Sequence, residues 1–232
     1  NTGKYVVSVA EREKDRIYLT EHGYHTVNTA ALTEYVYHGV KLPEKPVLLS
    51  FDDGFESVYS LVRPLMQKYH MKCIASVIGS VSEMYSENPD HNITYSYMTW
   101  DEIKDLSRTR EIEIHPHSYD MHYCENGKRK GMEKLTGESD GDYMTALYDD
   151  MYKIHSKLQQ LGAADTAMVY PYGIYNSETE WVIKSLGYLL SFSCEEKPCI
   201  LKRYDRSCLY RLGRYNRPSG VSSNEFFSFM KK

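Results

Sequence analysis

Apolar positions along the chain follow two rhythms that take turns for most of its length. In the first they recur every three or four residues, the mark of a helix with one buried face. Tyr143, Leu147, Met151, Ile154, Leu158 and Leu161 set the longest such stripe, which Gly162 ends. Residues 29–38 make a shorter helix closed by Gly39, and residues 56–70 another that Pro64 should kink or restart. The boxes Ser8-x-x-Glu11, Thr99-x-x-Glu102 and Ser177-x-x-Glu180 predict three more helix starts. In each, hydroxyl and carboxylate take amide hydrogens that the first turn leaves unpaired.

In the second rhythm the apolar residues are compact or alternate by twos, as in strands: residues 24–27, 46–51, 73–78, 111–115, 167–170 and 188–193. Residues 79–97, rich in Ser, Asn and Tyr, and residues 124–141, charged and Gly-rich, read as loops. Strand–helix units repeated in this way predict an α/β fold, a parallel sheet or barrel of about six or seven strands. Its site should lie at the C-terminal ends of the strands. No internal repeat or low-complexity linker divides the chain, so residues 1–232 are read as one domain.

Composition narrows this picture. A chain of 232 residues can bury a sizeable core, and its 41% hydrophobic share includes 22 tyrosines, which pack a ring but keep a polar tip. With 28 basic and 32 acidic residues the net charge is −4, which gives no reason to expect a nucleic-acid partner. No run approaches the ~18 apolar residues of a membrane span. The five cysteines (Cys73, Cys124, Cys194, Cys199, Cys208) lack zinc-knuckle spacing, and one bridge among the last three is compatible with an oxidising compartment. The chain begins at Asn1 with no charged-then-apolar leader. It is therefore expected to be a processed or trimmed piece, any targeting or membrane-anchoring segment having lain upstream. Nothing in the sequence sets the oligomeric state.

Three predicted strands end in polar residues that the fold would bring to one rim. After the first come Asp52-Asp53-Gly54, two adjacent carboxylates that point different ways, one able to bind a metal while the other takes a proton. Asp-Gly is also a plain turn signal. After the second comes Glu113-Ile114-His115-Pro116-His117-Ser118-Tyr119-Asp120-Met121-His122, with three of the nine histidines within eight residues. On a helix, His117 and His122 would stand about 500° apart and share no face. A strand end followed by a loop can bring both onto one ion. Zinc takes neutral imidazole at ~2.0–2.1 Å and in enzymes leaves one position for water, so His117, His122 and one Asp of the first segment would suffice. A rival pair is His115 and His117, which share a face of an extended strand. After the third strand, Pro171-Tyr172-Gly173 can turn a backbone N–H inward, as an oxyanion requires.

In this order Phe51-Asp52-Asp53-Gly54, His117-Ser118-x-x-x-His122 and Pro171-Tyr172-Gly173 resemble the signature motifs of the polysaccharide deacetylases, carbohydrate esterase family 4. The similarity runs from about Gly3 to Gly220 and takes in residues 23–27, 42–46, 99–101 and 186–188. The five-residue His spacing looks most like the branch acting on poly-N-acetylglucosamine. The resemblance implies a distorted (β/α) barrel of about seven parallel strands, with a first strand expected before Asn1. It further implies a divalent metal, Zn2+ with Co2+ or Ni2+ as alternatives, and hydrolysis of N-acetyl groups on an amino-sugar polysaccharide of the poly-N-acetylglucosamine or peptidoglycan type outside the membrane, in secreted or surface-anchored form. By position, Asp53, His117 and His122 would hold the metal, Asp52 would be the general base, and Tyr172 would offer its N–H to the oxyanion.

Two departures stand out. Many members orient the base with an Arg where this chain has Val169. Arg214 or Arg211 would be the substitute, although a solvated surface Arg is the plainer expectation for either. No His follows His155, where many members carry a general acid, so the acid is expected upstream of Asn1. His22 and His25 are expected on the opposite rim. Of Tyr95, Tyr97, Tyr119, Tyr123, Tyr172 and Tyr175, which would suit sugar stacking, only Tyr172 is assigned a role. The rival classes are a non-catalytic carbohydrate-binding protein on the same scaffold and an esterase acting on O-acetylated polysaccharide.

Overall fold

The computed structural model describes residues 7–122 and 129–231. Ser8 caps α1 (Val9–Glu21): its hydroxyl accepts from Glu11 N, and the Glu11 carboxylate accepts from Ser8 N at 2.9 Å. Then come β1 (His25–Val27) and α2 (Thr29–His38), capped by Asn28 and closed by Gly39 in the left-handed conformation. The apolar run expected to be one strand is two. β2 (Pro46–Leu48) pairs with β1, and β3 (Ser50–Phe51) pairs with β4 (Cys73–Val77). The chain changes partner at Leu49, whose carbonyl accepts from Ile74 N at 2.9 Å. A wide π-helical turn at Val58–Val62 then leads into α3 (Arg63–Tyr69), so Pro64 falls in the first turn, where its missing N–H costs nothing.

The segment predicted as a loop after β4 contains a helix, α4 (Gly79–Glu87). Its Gly and three Ser are weak helix formers, and no side chain caps its start. Packing decides instead: Val81 is buried, and a Cβ on Gly79 would come within 2.4 Å of the Tyr119 ring. α5 (Trp100–Ser107) opens on the Thr99–Glu102 box, followed by β5 (Ile112–Pro116) and the long α6 (Asp140–Gln160). α6 buries Tyr143, Leu147, Met151, Ile154 and Leu158, the stripe read from the sequence. After β6 (Ala167–Val169), α7 (Ser177–Ser185) is capped by Asn176 and Thr179 rather than by Ser177 and Glu180. β7 (Leu190–Phe192) follows, and a short α8 (Ser223–Phe226) packs near α1.

Each pairing of these strands is parallel: β1 with β2, β3 with β4, β4 with β5, and β6 with β7, the last extended by a bridge from Phe192 to Leu212. Among the described residues they make three separate sheets, which hydrogen bonding does not close into the single barrel expected. Side chains span the gap between β5 and β6. His115 Nδ1 accepts from Ala167 N at 3.4 Å, and His117 Nδ1 donates to Val169 O at 2.7 Å. Strand alternation divides the core. Cys73, Ala75 and Val77 face a cluster shared with α3, α5 and α6, while Ile74 faces another with Val36, Val169, Leu190 and Phe192. No helix among the described residues is long and apolar enough to cross a membrane. Cys73, Cys194, Cys199 and Cys208 are free thiols, with no bridge among the last three; Cys124 and Tyr123 lie outside the described residues.

Candidate active site

The exits of β3, β5 and β6 turn in the same way. Asp53, Ser118 and Tyr172 have φ of 70°, 71° and 56°, a left-handed backbone that costs a non-glycine residue on the order of 1–3 kcal/mol. Two glycines let these turns press inward. A Cβ on Gly54 would lie 3.0 Å from Val77 Cγ1 and 3.2 Å from its Cα, and one on Gly173 would lie 2.5 Å from Cys194 N. Three strained turns at one end of a parallel fold are what a site built from strand exits requires.

They bring together Asp53, His117 and His122. The ligand-capable atoms of the three lie within 4.8 Å of one another. Asp53 Oδ1 is 3.5 Å from His117 Nε2 and 3.2 Å from His122 Nε2. Two ligands of a tetrahedral ion bound at ~2.0–2.1 Å stand roughly 3.3 Å apart, so the spacing fits one zinc-sized cation. Protonation points the same way. A carbonyl only accepts, so His117 Nδ1 carries the hydrogen given to Val169 O, and burial lowers the pKa of the ring against the pull of Asp52 and Asp53. The neutral ring then turns the lone pair of Nε2 toward a carboxylate oxygen, an arrangement that a shared cation resolves.

Asp52 stands apart from this trio. Its Oδ1 accepts from Arg214 Nη1 at 2.7 Å and from Ser76 Oγ at 3.1 Å. Burial raises the Asp52 pKa, but Arg214, then His117 and these hydrogen bonds, outweigh it and hold the carboxyl well below its usual range. Arg214 is itself fixed, its Nε donating to Ser193 O at 3.0 Å and its Nη1 to Ser50 Oγ at 3.2 Å. With only 11% of its side chain exposed it is not the solvated surface Arg expected, and it supplies the charge missing at Val169. Arg211, half exposed, pairs with Glu180 instead.

A family model described as polysaccharide deacetylase matches residues 39–191, more than half of the chain and all three of these turns. The chain belongs to the polysaccharide deacetylase family. It is 26% identical over 196 residues to the poly-beta-1,6-N-acetyl-D-glucosamine N-deacetylase of Escherichia coli (strain K12), a match covering 77% of this chain and 29% of that protein. With the enzyme of the same name from Staphylococcus aureus (strain MRSA252) it is 28% identical over 197 residues, covering 83% of this chain and 62% of that protein. The chain thus spans less than two thirds of either relative. A solved de-N-acetylase from Aggregatibacter actinomycetemcomitans has a TM-score of 0.78 and 24% identity, over 98% of this chain and 89% of that one. IcaB from Ammonifex degensii has a TM-score of 0.73 and 22% identity, over 93% and 87%. Both share the fold.

In this member of the family the other sequence candidates fall elsewhere. His115 is fully buried, with Nε2 3.3 Å from Thr29 Oγ1 and 3.6 Å from Glu113 Oε2, so the pair His115 and His117 shares β6 but no ligand position. His22 donates to Tyr18 O at the end of α1, and His25 starts β1 at the far end of the strands. Tyr172 stacks on His122 with ring centroids 4.8 Å apart. Tyr97 stacks on Phe55, Tyr119 packs over Gly79, and Tyr175 donates to Glu195. One contributor has no motif in the sequence: Asp150 of α6 accepts from Tyr119 N at 2.8 Å and Asp120 N at 2.7 Å, holding the loop that separates His117 from His122. Only its place on a helix facing that loop marks it, which no local motif reveals.

Proposed function

We propose that this chain is one catalytic domain of a metal-dependent deacetylase that hydrolyses N-acetyl groups of a polysaccharide of the poly-N-acetylglucosamine type. The observation that carries this reading is the division of labour between neighbours: Asp53 joins two histidines, while Asp52 is held apart by Arg214. The curated relatives are named for that polymer, and the three sheets are read as parts of one distorted (β/α) barrel of about seven strands.

Asp53, His117 and His122 would hold Zn2+, or Co2+ or Ni2+ in its place. Such an ion supplies Lewis acidity and lowers the pKa of a bound water from 15.7 to about 7. The remaining work belongs to the protein. Val169 O keeps the His117 hydrogen on Nδ1, so Nε2 stays a donor of its lone pair. Asp52, kept ionised by Arg214, accepts the proton of the attacking water. The turn at Tyr172 directs its N–H toward the oxygen on which negative charge develops. Water adds to the amide carbon, the C–N bond breaks as the nitrogen takes up the proton that Asp52 accepted, and acetate and the free amine result. The enzyme would act on its polymer outside the membrane, secreted or surface-anchored. A non-catalytic binding protein is the rival reading on two grounds, the missing base-orienting Arg and the lack of a His after His155; Arg214 answers the first and leaves the second.

The test is acetate release from an N-acetylglucosamine oligomer, with metal content measured on the same samples. Asp52→Asn is expected to keep one metal ion at this site and to lose at least ~100-fold in turnover. Full activity of that variant would refute the assignment of the base.

A further inference from the structure

Beyond the catalytic turn the chain builds a second cluster from Glu56, His91 and Glu102. Glu56 lies just after that turn and is 2% exposed. Its Oε1 accepts from Ser60 Oγ at 2.5 Å, but its Oε2 is buried and takes no hydrogen bond from the described residues. Glu102, in the first turn of α5, spends Oε2 on its own capping box, accepting from Thr99 N and Oγ1 at 2.8 Å each. His91 Nδ1 stands 3.0 Å from Glu102 Oε1 and 3.5 Å from the orphaned Glu56 Oε2. One ligand-capable atom from each residue falls within 4.8 Å of the others. Two carboxylates this close repel, and burying one without a full partner is costly. A cavity of about 300 Å³, lined by His91, Thr99, Trp100 and Glu102 among others, adjoins the cluster and has room for water ligands.

We infer that Glu56, His91 and Glu102 form a second divalent-cation site, distinct from the Asp53, His117 and His122 set. Two carboxylate oxygens with one imidazole suit a borderline first-row ion such as Zn2+, whereas Ca2+ and Mg2+ favour oxygen alone. The site has a structural consequence. Residues 88–98 already lie along the catalytic turn, through Glu56 N to Ser96 O and Met98 N to Gly54 O, both 2.8 Å, and a bridge between Phe55 and Tyr97. An ion shared by Glu56, His91 and Glu102 fastens that segment and α5 to the turn that carries Asp52 and Asp53.

The experiment is Zn2+ binding by equilibrium dialysis on the full chain after chelator stripping. His91→Ala changes a half-exposed side chain and should fold; it is expected to bind one fewer Zn2+ per chain than wild type. Glu102→Gln, which keeps a side chain able to complete the capping box, should show the same loss. Asp53→Ala should retain the His91-dependent ion, and Zn2+ should raise its Tm until His91→Ala is added. Equal binding by wild type and His91→Ala would overturn the inference, and would mean that His91 neutralises the carboxylates unaided.

Discussion

Asp52, at the C-terminal end of β3, and Asp165, just before β6 at the opposite end of the strands, are carboxylates in confined surroundings with different neighbours. Asp52 faces the guanidinium of Arg214 and stays ionised well below neutral pH. Asp165, its side chain 2% exposed, lies 2.5 Å from His155 Nδ1 and near the Tyr188 hydroxyl. Burial pushes its pKa up to about 8 and lowers that of His155. Confinement therefore does not decide protonation here; a fixed cation does. Asp150 is an intermediate case: burial raises its pKa to about 6, although two backbone amides donate to it. Of these three carboxylates, Asp52 alone is hydrogen-bonded to a permanent charge.

The most disruptive way to break this contrast is to take away the cation. Arg214→Met places Asp52 in surroundings like those of Asp165, and acetate release is expected to fall by about 10²–10⁴-fold with metal content unchanged. Arg214→Lys, which keeps the charge and loses the planar fork, should recover part of the rate. Next in size is Asp150→Ala. The loop between His117 and His122 loses the two hydrogen bonds that Asp150 accepts from it, and metal affinity, read by competition with a chelator, should drop by about 10–100-fold.

The smallest effect sharpens the other end of the molecule. A carboxyl with a raised pKa favours the folded state below its ordinary value of 3.8, and this advantage is lost as pH climbs through about 8. A lowered imidazole works oppositely below its ordinary 6.5, so His155 offsets part of the loss on the acid side of that value. Between pH 6.5 and 8 only the loss remains, at most about 2 kcal/mol, or roughly 4–8 °C in Tm. Thermal melts should show this decline in the wild type and a flatter profile in Asp165→Asn.

The contrast also explains what a reader of the sequence could and could not find. The trio of Asp53, His117 and His122 is legible because each motif is local: a strand exit sets Asp53, and five residues of one loop set both histidines. Capping boxes likewise marked α1 and α5. Arg214 could be named only as one of two candidates, because it reaches Asp52 from 162 residues away and nothing local separates it from Arg211 or from a surface Arg. The break at Leu49 arises from an exchange of strand partners inside an unbroken apolar run. α4 was hidden by Gly and Ser that packing against Tyr119 overrides. At α7, Asn176 and Ser177 are neighbouring cap formers, and the chain takes the first of them.

The central claim is that one cation is gripped by Asp53, His117 and His122 while Asp52 remains unbound beside it. Anomalous diffraction from a zinc-loaded crystal tests this most directly. The account predicts a peak within ~2.0–2.2 Å of Asp53 Oδ1, His117 Nε2 and His122 Nε2, with Asp52 still paired to Arg214. A peak ligated by Asp52, or none at this position, would contradict it.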